Sequence, residues 1–115
     1  MNIWLDLLRA RNMSRCARWH KGGVDDWSLS DWGVAAAGEM GEALNVIKKL
    51  NRARDGMVGN SANEYELQQQ LADEIADTII YLDLLAARAG INLEEAIVRK
   101  FNRVSERNSF PERLP

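Results

Sequence analysis

Cysteine, histidine and proline are nearly absent from this chain. The lone Cys16 leaves no internal disulfide and no cysteine-built zinc site, and it suits a reducing compartment. His20 has no second histidine to share a metal with. Both prolines, Pro111 and Pro115, come after residue 110, so no proline before them breaks a helix. Charge of one sign is also lacking. A net charge of −2, with fifteen Lys and Arg scattered along the chain, gives no basic field for a nucleic-acid polymer. Long apolar runs are missing too. The nearest, Ile75–Ala87, holds Asp77 and Asp83 and is too short to span a bilayer. Met1–Leu8 is interrupted by Asp6 and followed by Arg9, unlike a secretory leader. The expectation is a soluble, cytoplasmic protein with no membrane partner.

What is present is ordinary globular material: 115 residues, 46% hydrophobic and 28% charged, the size of one domain over 1–115. No stretch alternates apolar with polar as a half-buried strand does, so the chain reads as all-α with four helices in a bundle-like arrangement. The first is expected over Asn2–Arg18, with Ile3, Trp4, Leu7 and Leu8 as its apolar stripe. A loop, His20–Trp27, follows. The second helix starts near Ser28, where Ser28-x-x-Asp31 is a weak capping box, and continues to about Arg54. Asp55-Gly56 and Gly59-Asn60 mark a break. The third helix is expected to follow a capping box at Ser61-x-x-Glu64 and to end at Gly90. The fourth takes Asn92 as its cap, with Glu95 three residues on, and runs to about Asn108.

Four acids occupy positions that a core should claim. At roughly 100° per residue, Trp32, Ala35, Ala43, Val46 and Leu50 project within about 40° of Glu39, while Asn45, Lys48 and Arg52 lie opposite. Glu42 stands one turn on, at the rim. On the third helix, Leu67, Leu71, Thr78 and Leu85 fall within about 60° of Glu74, and Asp77 repeats the i+3 spacing. Burying unpaired carboxylates costs several kcal/mol each, so something must offset the charge. Pairing with Lys49, Arg18, Arg88 or Lys100 is one way. Divalent cations held between two adjacent helices are another, and oxygen-only ligands favour Mg²⁺, with Mn²⁺ as a substitute. Magnesium usually completes its shell with water and phosphate, which points to a phosphate-bearing ligand.

Gly38-Glu39-Met40-Gly41-Glu42-Ala43-Leu44, followed by Leu71-Ala72-Asp73-Glu74-Ile75-Ala76-Asp77-Thr78-Ile79-Ile80-Tyr81, resembles the MazG-like all-α nucleotide pyrophosphohydrolases, a group that includes dCTP pyrophosphatases and is related to dimeric dUTPases. The likeness spans roughly Trp27 to Pro111. It implies hydrolysis of a nucleoside triphosphate between the α and β phosphates, with Glu39, Glu42, Glu74 and Asp77 as Mg²⁺ ligands. It also implies that Lys100 and Asn102, in the Lys100-Phe101-Asn102 segment, lie in a phosphate- and sugar-contacting region.

Glu39 is the expected general base, since desolvation on the apolar face would raise its proton affinity. Lys49 borders Glu42 and could reach a phosphate; Tyr81, one turn from Asp77, could order a carboxylate or the sugar. Trp19, His20 and Trp27 flank the loop, where an aromatic could stack on a base, although packing is the commoner use of tryptophan. A di-iron carboxylate site is disfavoured, because it wants Glu-x-x-His pairs and His20 lies elsewhere. A helical oligomer that holds a nucleotide or partner without turnover stays open. The third helix is apolar almost all round from Ile75 to Ala87, so it is expected to be buried on several sides, in a homodimer or a dimer of dimers. The resemblance implies sites near subunit interfaces.

Overall fold

The computed structural model describes residues 4–115. Four α-helices and one short 3-10 turn account for its regular structure: α1 (Trp4–Trp19), the 3-10 turn (Gly23–Asp26), α2 (Leu29–Arg54), α3 (Glu64–Arg88) and α4 (Leu93–Arg107). No strand occurs among the described residues, so the chain is all-α as the sequence pattern requires. The expected first helix began at Asn2; residues 2 and 3, including Ile3 of its stripe, lie outside the described residues.

Helix ends follow local backbone chemistry. α2 and α3 both stop at a glycine in the left-handed region, Gly56 at φ 71° and Gly90 at φ 72°. At each, the glycine N–H and the next N–H turn back onto the last turn: Gly56 to Ala53 and Met57 to Arg52, Gly90 to Ala87 and Ile91 to Ala86. These paired bonds satisfy carbonyls that a helix terminus would otherwise leave open. α4 ends the same way without a glycine. Ser109 takes φ 56°, and Ser109 and Phe110 donate to Glu106 and Ser105.

The α4 start matches expectation, with Asn92 Oδ1 accepting the Glu95 N–H at 3.1 Å. The α3 start does not. Asn63, not Ser61, is its cap, and Asn63 Oδ1 accepts the Glu66 N–H at 2.8 Å. Asn63-x-x-Glu66 has the same spacing as Ser61-x-x-Glu64, and the cap sits directly before the first helical residue.

The described chain forms two compact units. The first holds α1, the 3-10 turn, the end of α3 from Asp83, and α4 with its tail. Its buried residues include Asn12, Cys16, Val24, Leu84 and Ala86. Asp83 lies among them, 1% exposed. Arg9 Nε donates to Asp83 Oδ1 at 2.8 Å, and Asn12 Nδ2 donates to Oδ2 at 3.1 Å. A buried carboxylate is tolerable only when so engaged.

The second unit, Ser30–Leu82, contains most of α2 and α3. Trp32, Ala36, Ala43, Val46 and Leu67 are its buried apolar residues. Ala35, Leu50, Leu71 and Thr78, read onto the same inward faces, are half-buried. The Trp32 ring lies 6.3 Å from that of Tyr81, and Glu39 comes against Glu74. Ascending α2 therefore means descending α3. The two helices are antiparallel.

No helix among the described residues is long and apolar enough to cross a membrane. Ile75, Ile79 and Leu82 remain 42–47% exposed, so the helix is not covered on several sides.

Candidate metal centre

The acids of α2 and α3 meet because their helices run antiparallel with inward faces opposed. Glu39, Glu74 and Asp77 each offer a carboxylate oxygen, and these oxygens lie within 4.8 Å of one another. Glu39 and Glu74 are half-buried and Asp77 is exposed. Glu42 is exposed and stands outside that trio, yet its carboxyl is close enough to raise the proton affinity of both Glu74 and Glu39.

Crowding leaves a clear electrostatic mark. Glu74 is pushed up to about 7. The leading cause is the hydrogen bond shared with Glu42, which a protonated Glu74 can donate; desolvation, the bond to Glu39 and both neighbouring charges push the same way. Glu39 is raised as well, first by burial and then by the charges of Glu42 and Asp77, while its hydrogen bond with Glu74 pulls the other way. Glu74 Oε2 is enclosed and has no hydrogen-bond partner. An enclosed oxygen without a donor, beside three more carboxylates, suits a small hard cation. Thr78 supports the wall by donating its hydroxyl to the Glu74 carbonyl at 2.8 Å.

Two further expected residues share this unit. Lys49 is half-buried near the end of α2, and its carbonyl accepts Asn60 Nδ2 at 2.8 Å, which ties the α2–α3 connection down. Tyr81 is half-buried, one turn beyond Asp77, with its ring tilted 40° to that of Trp32.

The other expected residues belong to the first unit. Trp19 is 71% exposed with the Arg15 guanidinium 5.5 Å from its ring, a cation–π contact. His20 and Trp27 meet edge to face at 4.8 Å, and the Trp27 carbonyl accepts Arg88 Nε at 2.8 Å. Lys100 is exposed in the middle of α4. Asn102 is committed within its own unit: Nδ2 donates to the Leu114 carbonyl at 3.0 Å and Oδ1 accepts the Leu114 N–H at 2.7 Å. Both ends of its amide clamp the tail to α4.

Asp83 was not singled out in the sequence as a site residue, although it is the most deeply buried acid described. The signal was its position in the apolar run Ile75–Ala87. Its partners explain it as a structural charge. No family model matches the chain, and neither a curated protein nor a solved structure matches it.

Proposed function

We propose that the chain is an Mg²⁺-dependent nucleoside triphosphate pyrophosphohydrolase that releases the monophosphate and pyrophosphate. The observation that carries this reading is the convergence of Glu39, Glu74 and Asp77 oxygens within 4.8 Å, with Glu42 bonded to the same cluster. Mutual repulsion and a donorless Glu74 Oε2 make the cluster unfavourable without cations. The all-oxygen donor set fits Mg²⁺, or Mn²⁺ in its place, and not zinc or copper. These four acids would hold the metal. Once bound, Mg²⁺ supplies positive charge against the triphosphate oxygens as the bond to the leaving pyrophosphate breaks.

Glu39 takes the proton from the water that attacks phosphorus. Burial raises its proton affinity above that of an ordinary carboxylate, the direction a general base needs. The neighbouring Glu42 and Asp77 charges raise its proton affinity further. Lys49 and Tyr81, on the same two helices, are candidates for phosphate and sugar contacts. The working form is a homo-oligomer in the cytoplasm.

The test is a panel of canonical and modified nucleoside triphosphates with Mg²⁺, following pyrophosphate and phosphate separately. Pyrophosphate release that disappears on chelation is the expected result. Release of single phosphates moves the cut and removes the reading. Binding without turnover would make the chain a nucleotide holder instead.

A further inference from the structure

Arginine and tryptophan share the outer face of α1. At roughly 100° per residue, Trp4, Leu7, Arg15 and Arg18 project within about 40° of Arg11. The buried Asn12 and Cys16 lie about 100° and 140° from Arg11, so this face is turned from the core. Trp4 and Leu7 on it are 62% and 50% exposed. Trp19, at the helix end, joins the row through the Arg15 guanidinium held over its ring. Leaving two tryptophans and a leucine in water forgoes a large apolar gain, which marks the face as a contact surface.

The face also carries a field. Residues 9–21 hold five of the fifteen Lys and Arg and no Asp or Glu. Arg9 is spent on Asp83 and the Ile91 carbonyl. Arg11, Arg15, Arg18 and Lys21 are exposed, and among the described residues none of them forms an ion pair. The acids nearest in sequence are turned or engaged elsewhere. Asp6 lies about 140° round the helix from Arg11. In the 3-10 turn, Asp26 accepts the Gly22 N–H at 3.0 Å, and Asp25 stands 3.8 Å from Arg88 Nε. The whole-chain charge of −2 conceals this local excess of cations, which is why composition gives no hint of a polyanion partner.

We infer that the outer face of α1 binds single-stranded nucleic acid, with Arg11, Arg15, Arg18 and Lys21 on the phosphates and Trp4 and Trp19 against the bases. A row of cations with aromatic rings set among them is the make-up of a single-strand site. A duplex keeps its bases stacked on one another and leaves the rings nothing to stack on. An anionic membrane fits less well. An interfacial helix separates its apolar and basic side chains onto two sides, whereas here they follow one line. A second copy of this face is disfavoured too, because a two-fold contact would set its cations against themselves. The row from Trp4 to Trp19 is about 22 Å long, so each chain covers a short stretch of strand and reads little of its sequence.

This site lies wholly within the first unit and needs neither metal nor turnover. It stands or falls independently of the proposed hydrolysis.

The experiment is fluorescence anisotropy of labelled oligo-dT and oligo-rU, each about 20 nucleotides long, titrated with the full chain in chelator. Both should bind. Between about 50 and 200 mM salt, log Kobs should fall against log[salt] with a slope of about −2 to −3, as three or four phosphate contacts on a single strand require. Arg11→Ala and Arg18→Ala should each make that slope shallower by about 0.7. Trp19→Ala should weaken binding about 5- to 150-fold and leave the slope unchanged, which separates stacking from charge. Arg103→Ala, at an exposed site on α4, should bind as the wild type does. All of these side chains are exposed, so helical circular dichroism should not change. Absence of binding at low salt overturns the inference, and so does an Arg103→Ala loss equal to that of Arg11→Ala. Displacement by an equal concentration of a mononucleotide, or tighter binding to anionic phospholipid vesicles than to either oligonucleotide, overturns it as well.

Discussion

Arg9 donates its Nε–H to Asp83 Oδ1 at 2.8 Å, joining residues 74 positions apart, and the Asp83 side chain keeps only 2% of its surface. Arg9 spends a second donor on the Ile91 carbonyl at 3.1 Å, so one guanidinium links α1 to both the end of α3 and the turn before α4. Arg9→Ala would leave the buried carboxylate with Asn12 alone. A loss of about 3–5 kcal/mol in urea unfolding is expected, because an uncompensated buried charge costs more than the pair contributes. The double variant Arg9→Met, Asp83→Leu should recover part of that loss. Equal destabilisation by both variants would mean the charge itself is not what matters.

Metal-free stability should fall as pH rises. Glu74 binds its proton more tightly folded, near 7, than at its ordinary value of 4.5. Its contribution is therefore complete below about 4.5 and disappears as pH climbs through about 7. Glu39 is shifted the same way. Thermal melts in chelator across this window should show a declining midpoint, and Glu74→Gln should flatten the decline. A midpoint that rises with pH over the window would contradict the crowded-carboxylate picture.

Adding Mg²⁺ at pH 7 should raise the melting midpoint, since a ligand that binds only the folded chain stabilises it by mass action. Asp77→Asn and Glu74→Gln should abolish that rise while leaving the fold intact by circular dichroism. Glu39→Gln should lower pyrophosphate release by about 10²–10⁴-fold, the usual contribution of a positioned base. Full activity in Glu39→Gln would reject its role as the base.

Gly90→Ala should destabilise by about 1–2 kcal/mol, because φ 72° is unfavourable for a residue with a Cβ. No neighbour lies within 4 Å of the added methyl, so the cost is the backbone's alone. Ser109→Gly should shift stability the other way, by about 0.5 kcal/mol, at the same kind of helix end. Chemical denaturation of both variants checks the pair.

At the start of α3, Asn63→Ala should cost about 1 kcal/mol and Ser61→Ala almost nothing, since Asn63 alone accepts the Glu66 N–H. The reverse order would restore Ser61 as the cap.

The same stretch illustrates how much the amino acids disclose unaided. Helix class, the Asn92 cap and the Gly90 stop are legible because each depends on neighbours within one turn. The choice between Ser61 and Asn63 is not, since two capping boxes of equal spacing overlap there and only the helix start decides. The inward placement of Glu39 and Glu74 follows from rotation about one helix axis. The same rotation puts Glu42 at the rim, where it is exposed, but the exposure of Asp77 depends on which side of the hairpin stays open. Asp83 drew no notice as a paired charge because Arg9 lies 74 residues away. Its meaning needs the tertiary contact. Similarly, all-round apolarity of α3 implies burial only if something covers it, and Ile75 and Ile79 are left bare by their own chain.

The antiparallel register that sets Trp32 beside Tyr81 also brings Glu39 to Glu74. It imposes an unequal tolerance to changes of length. A residue added to the segment 57–62 lengthens a connection between two capped helices and is cheap. The same residue added between Trp32 and Glu39, or between Asp77 and Tyr81, swings one acid pair about 100° away from the other while the two rings keep their places. Insertions should accumulate in the first place and be purged from the other two.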